Sequence, residues 1–148
     1  IMNNNFLLPK GVKIKATIIA LFALALSACG DKESKKMPEE VAQEFVEAIY
    51  NAKDIDEIKE NSVKRVAGLV DHYRSIKMIQ RHVMELSLDS ATVQITDVGG
   101  DFFRKSKKDT RVELHIRGKY QGGVVADDRF LLMTWENNRW KVKRISKS

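Results

Sequence analysis

Hydrophobic and polar positions along this chain change period twice. Ala16 to Ala28 is a run of 13 uncharged residues, built from Ala, Ile, Leu, Phe, Thr and Ser. From Pro38 onward the apolar positions fall at helical spacing, with Val41, Phe45, Val46, Ile49 and Ala52 forming one stripe. Pro38 suits the first helical position, and Glu39 and Glu40 suit the positive end of the helix dipole, although Met37 offers no side-chain acceptor for a cap. Asp54-Ile55-Asp56-Glu57 reads as a second helix start, an Asp cap with an acid three residues on. Ile58, Val66, Leu69 and Val70 carry its face less regularly, up to a break expected near Asp71 to Ser75. Ile76, Ile79, Val83 and Leu86 then predict a third helical segment.

After Leu88 the period becomes two. Ala91, Val93 and Ile95 alternate with Thr92, Gln94 and Thr96, the pattern of a half-buried strand. Gly99-Gly100 reads as a turn, or as a bulge in a strand resuming through Phe102 and Phe103. Val112, Leu114, Ile116, Gly118 and Tyr120 alternate with charged or polar neighbours, and Gly122-Gly123 reads as the following turn. Arg129 to Trp135 predicts another strand, joined through Asn137-Asn138 to Arg139 to Ile145, because adjacent Asn residues tolerate the positive φ of a type I′ turn. Helices first and then an antiparallel meander give the α+β class, with the N-terminal helices packed on a curved antiparallel sheet.

Composition bounds this picture. A chain of 148 residues, 43% hydrophobic and 31% charged, suits one compact domain and argues against wholesale disorder, while one Cys excludes an internal disulfide. The apolar run follows Lys10, Lys13 and Lys15, with no acid before Asp31. Crossing a bilayer takes about 20 residues, so the run fits a signal peptide better than a membrane span. It ends in Leu26-Ser27-Ala28-Cys29, which resembles the lipobox of bacterial lipoproteins. That resemblance implies removal of residues 1–28 and thioether lipidation and N-acylation of Cys29. Palmitate is then among the attached chains, and several chains at about 0.8 kcal/mol per buried methylene make a stable anchor. Gly30, rather than Asp, follows the Cys, which implies the outer membrane with the domain facing the periplasm; the inner membrane's periplasmic face is the alternative. Residues 29–37 are then the lipidated Cys and a short tether, and 38–146 the single α+β domain.

Pro38-Glu39-Glu40-Val41 through Phe45-Val46-Glu47-Ala48, with the closing Trp140-Lys141-Val142 before Ile145, resembles the nuclear-transport-factor-two-like, cystatin-like superfamily, and within it small uncharacterised lipoproteins. The resemblance implies a cone of sheet wrapped around helices, often with a pocket at its open end and often dimeric through the outer sheet face. Some members are pocket enzymes with an Asp/His or Tyr/Asp pair; many bind ligands without chemistry.

Candidate chemistry is sparse. His72, His82 and His115 are the only histidines, no pair has the spacing of helical metal ligands, and neither a metal nor a cofactor is expected. His72, within Asp71-His72-Tyr73, and His115 are the candidates for acid–base work, against the plainer expectation that both are solvated, His115 between Glu113 and Arg117. Charge says more: residues 30–58 hold nine acids and four bases, and residues 59–148 eleven acids and nineteen bases. Arg104, Lys105, Lys107 and Lys108 crowd one expected hairpin tip, and their functional reading is contact with anionic lipid, lipopolysaccharide phosphates or an acidic partner. Nucleic acid is disfavoured by the exported address. Leu131, Met133 and Trp135 share one face of their strand and Phe130 and Leu132 the other, so a dimer mate, partner or ligand is expected on Leu131, Met133 and Trp135 unless Arg and Lys stems shield them. The expectation is a membrane-anchored domain that binds a protein or small ligand without catalysis. The rivals are a small isomerase or dehydratase of the same fold and an assembly factor of an envelope complex.

Overall fold

The computed structural model describes residues 35–99 and 108–147. The leader, Cys29 and most of the tether lie outside the described residues, as do Gly100, Phe102, Phe103, Arg104, Lys105 and Lys107.

Helix α1 (Pro38–Glu47) starts where Pro38 and its two acids predict. Glu40 makes up for the poor cap by accepting a hydrogen bond from the Met37 N–H at 2.7 Å. The stripe of Val41, Ala42, Phe45 and Val46 is buried, and a π-helical turn, Ala48–Ala52, extends it to Ile49 and Tyr50. Asp54 caps α2 (Ile55–Glu60) by accepting from the N–H groups of Asp56 and Glu57. The single helix expected from Asp54 to Val70 is broken at Asn61 to Val63. There the backbone leaves the helix to pair with the last strand: Val142 N–H donates to the Asn61 carbonyl at 2.8 Å and Val63 N–H to the Val142 carbonyl at 3.0 Å. The irregular step from Ile58 to Val66 is the trace of that break. Helix α3 (Lys64–Tyr73) ends at Arg74, and Ser75 caps α4 (Ile76–Ile79), which continues through a π-helical turn, Gln80–Met84, to Glu85. Lys53, Arg74 and Glu85 stop their helices in the left-handed region (φ 55°, 59° and 51°), where glycine is usual.

Strands β1 (Ser90–Gly99), β2 (Asp109–Tyr120), β3 (Gly123–Glu136) and β4 (Arg139–Lys147) form one antiparallel sheet in chain order. The α+β class is as the sequence predicts. Asn137 and Asn138 (φ 52° and 65°) make the expected two-residue turn. The β2–β3 hairpin turns on Gln121 and Gly122, one position before the expected Gly pair, and β3 starts well before Arg129. Gly118 is required: a Cβ there would stand 2.1 Å from the Ser90 carbonyl oxygen of β1.

The helices cover one face of the sheet. Val112, Leu114, Ile116, Leu131, Met133 and Val142 meet Phe45, Ile49, Ile58, Val70 and Ile79 in a single core. Asn51 closes part of the β1 edge, its side-chain amide donating to the Ala91 carbonyl at 2.8 Å and accepting from the Ala91 N–H at 3.0 Å.

Candidate functional site

The alternation of β3 puts Arg129 in phase with Leu131 and Met133, opposite Leu114 and on the helix side of the sheet. A cation in a core is costly unless its donors are satisfied. Arg129 is 0% exposed, and its guanidinium donates to the carbonyls of Met84 (2.9 Å), Glu85 (3.1 Å) and Asp128 (2.6 Å) and to the Asp127 carboxylate (2.7 Å). That hydrogen bond holds the Asp127 carboxyl below its usual range, against a smaller opposing push from burial. The next carbonyl, of Leu86, accepts from the buried Tyr50 hydroxyl at 2.7 Å. Burial drives the Tyr50 phenol well above its ordinary value. Gln80 ties the same stretch to its surroundings, donating to the Ile49 carbonyl and accepting from the Leu88 N–H. Three successive carbonyls, Met84 to Leu86, are therefore held by two buried side chains from different elements.

This pinned segment forms one wall of an open cleft of about 440 Å³, a size within the small-ligand range. The α3 wall carries Arg65, Val66 and Leu69; the pinned wall carries His82, Val83, Met84 and Glu85; and the sheet contributes Arg129, Arg144, Ile145, Ser146 and Lys147. Arg65 also donates to the Lys143 carbonyl at 3.0 Å, joining α3 to β4. Glu85 is the one carboxylate in the lining, and Lys147 pairs with it at 3.0 Å. His82 stacks on Tyr73, ring centres 4.8 Å apart.

The structure redistributes the sequence candidates. Leu131 and Met133 are fully buried in the core, so they are not the outward contact surface expected of them. Trp135 is half-buried and packs edge to face on Trp140 at 5.5 Å. The outer face of β3 instead shows Phe130 and Leu132, both half-buried, with the Arg111 guanidinium 3.5 Å above the Phe130 ring. Shielding by a long cationic stem does occur, on the face opposite to Leu131. His115 is not simply solvated between Glu113 and Arg117: across the strand pair its Nδ1 lies 2.6 Å from the Asp128 carboxylate. Those side chains remain 41% and 43% exposed on the outer sheet face, away from the cleft. His72 meets Tyr73 edge to face, and Asp71 pairs with Lys59 at 2.8 Å rather than with His72. Lys108 is exposed, and its carbonyl accepts from the Trp135 N–H at 2.7 Å. Among the described residues, no three His, Cys, Asp or Glu side chains cluster as a metal site requires.

Sequence reasoning missed the cleft. Arg129 does carry a signal, a cation in the phase of Leu131 and Met133, but Arg65, His82, Glu85 and Lys147 come together only through the packing of α3 and the pinned segment beside β4.

No family model and no curated protein matches the chain. Among solved structures it is similar to an NTF-2 like protein of unknown function from Shewanella oneidensis MR-1, at 12% identity and a TM-score of 0.47, over 72% of this chain and 91% of that one.

Proposed function

We propose that this chain is a lipid-anchored protein of the cell envelope whose α+β domain holds a ligand in the cleft between α3, the Met84 to Leu86 segment and β4, without performing chemistry on it. The cleft carries this reading: its wall is fixed by the hydrogen bonds of Arg129 and Tyr50, so ligand entry costs little further ordering. A His–Asp pair is present at His115 and Asp128, but it stands on the open sheet face, which favours binding over the pocket-enzyme reading. The anchor reading is supported by Leu26-Ser27-Ala28-Cys29 lying in register behind the lysines and the apolar run. Gly30 supports the outer membrane, periplasmic side, as the address.

Two measurements test these parts separately. Radiolabelled palmitate is expected on the wild-type chain in cells and not on Cys29→Ser; label on neither removes the anchor. Native mass spectrometry of the full chain taken from membranes is expected to show a small-molecule adduct that Leu69→Trp, which fills the cleft, abolishes. An adduct that survives in the variant would place the ligand elsewhere.

A further inference from the structure

We infer that the ligand of the cleft is a single-chain anionic amphiphile, a carboxylate or phosphate monoester head on an apolar body; this rests on the cleft being a binding site. The lining divides by chemistry. Leu69, which is 39% exposed, with the half-buried Val83 and Ile145, offers apolar surface, while Val66 and Met84 lie beneath it in the core. Arg65, Arg144 and Lys147 supply cations, while Arg129, fully buried, holds the wall and not the ligand. A simple inorganic anion leaves the apolar half unused, and a neutral lipid leaves the cations unused. Only a molecule with both parts satisfies both surfaces.

The protein already places a carboxylate there. Glu85 leaves its helix in the left-handed conformation, its carbonyl held by Arg129, and its side chain reaches Lys147 at 3.0 Å. Both side chains are more than half exposed, so the pair is weak and an incoming anionic head can displace Glu85 from Lys147. Glu85 is thus an internal competitor for the ligand head. The exposed apolar lining is small, Leu69, Val83 and Ile145, which suits one chain over two.

The test is photocrosslinking of the full chain in lipid nanodiscs, with adducts mapped by mass spectrometry. The probes are a diazirine-bearing dodecanoic acid, its methyl ester, and a phosphatidic acid carrying the same diazirine chain. The free acid is expected to label cleft residues such as Leu69, Val83 and Ile145 at least about tenfold more than the ester, the scale of a charge-assisted contact. Arg144→Gln with Lys147→Gln is expected to remove that preference, with an unchanged thermal melt reporting intact folding. Glu85→Gln is expected to raise acid labelling about threefold, as release of a weak surface pair implies. Equal labelling by acid and ester, or no gain in Glu85→Gln, overturns the anionic head while leaving the cleft a binding site. Cleft labelling by the phosphatidic acid equal to that by the free acid overturns the single chain in favour of a bilayer lipid. No cleft adduct with any probe overturns the inference and the binding reading together.

Discussion

Asp127 and Asp128 are neighbours in β3 and each faces a basic side chain, yet the two pairs differ in what they do for the protein. Asp127 meets Arg129, which is buried and also holds three backbone carbonyls; Asp128 meets His115 on a face open to water. Asp127 is itself 48% exposed, so its charge is well screened. The weight of the Arg129 cluster therefore lies less in the ion pair than in the carbonyls of Met84, Glu85 and Asp128, each of which loses a donor when the guanidinium is gone. Strand alternation sorts adjacent acids into different environments, and environment rather than proximity sets their worth.

That contrast can be broken at several points. Arg129→Ala should remove about 3 kcal/mol or more, from lost packing and lost donors to those carbonyls, measured by urea denaturation. A loss below about 1 kcal/mol would mean that the Met84 to Leu86 segment does not depend on it. Tyr50→Phe comes next, at about 1–2 kcal/mol, because it strands the Leu86 carbonyl. It also carries a pH signature. The phenol ionises in the unfolded chain near pH 10 but is held neutral in the fold, so wild-type stability falls as pH rises above about 10, and Tyr50→Phe should flatten that limb.

Asp127→Asn should act on the opposite limb. Its folded carboxyl titrates below the unfolded value of about 3.9, so its contribution is present above that pH and lost as pH falls through the lower folded value. The variant should therefore show a shallower acid transition than wild type in a pH series of thermal melts. His115→Gln is the smallest, within about 0.5 kcal/mol of wild type. A large loss there would place the outer pair on a par with the inner one and dissolve the contrast.

The sequence carries the fold more fully than the site, for physical reasons. Helix α1, the alternation of β2 and the Asn137-Asn138 turn are local: spacing and φ preference suffice to read them. The break at Asn61 to Val63 is not, because its cause is a hydrogen-bonding partner, Val142, far along the chain. For β3, alternation separates Leu131 and Met133 from Phe130 and Leu132, but only the placement of the helices decides which set faces inward. The same holds for the cleft, whose charged residues are distant in sequence and share no motif. A polar residue in the phase of a core face, as at Arg129, is the one local mark of that region.

Asn51 has a consequence for solubility. Unpaired strand edges are templates on which another chain can add a strand, and runaway addition of this kind builds fibrils. The amide of Asn51 occupies both backbone groups of Ala91 on one edge, and Asn61 to Val63 occupy those of Val142 on the other. Each margin of the sheet thus carries a plug supplied by the helical half of the domain. Loss of either plug, as in Asn51→Ala, would open a polymerisation front without touching the core.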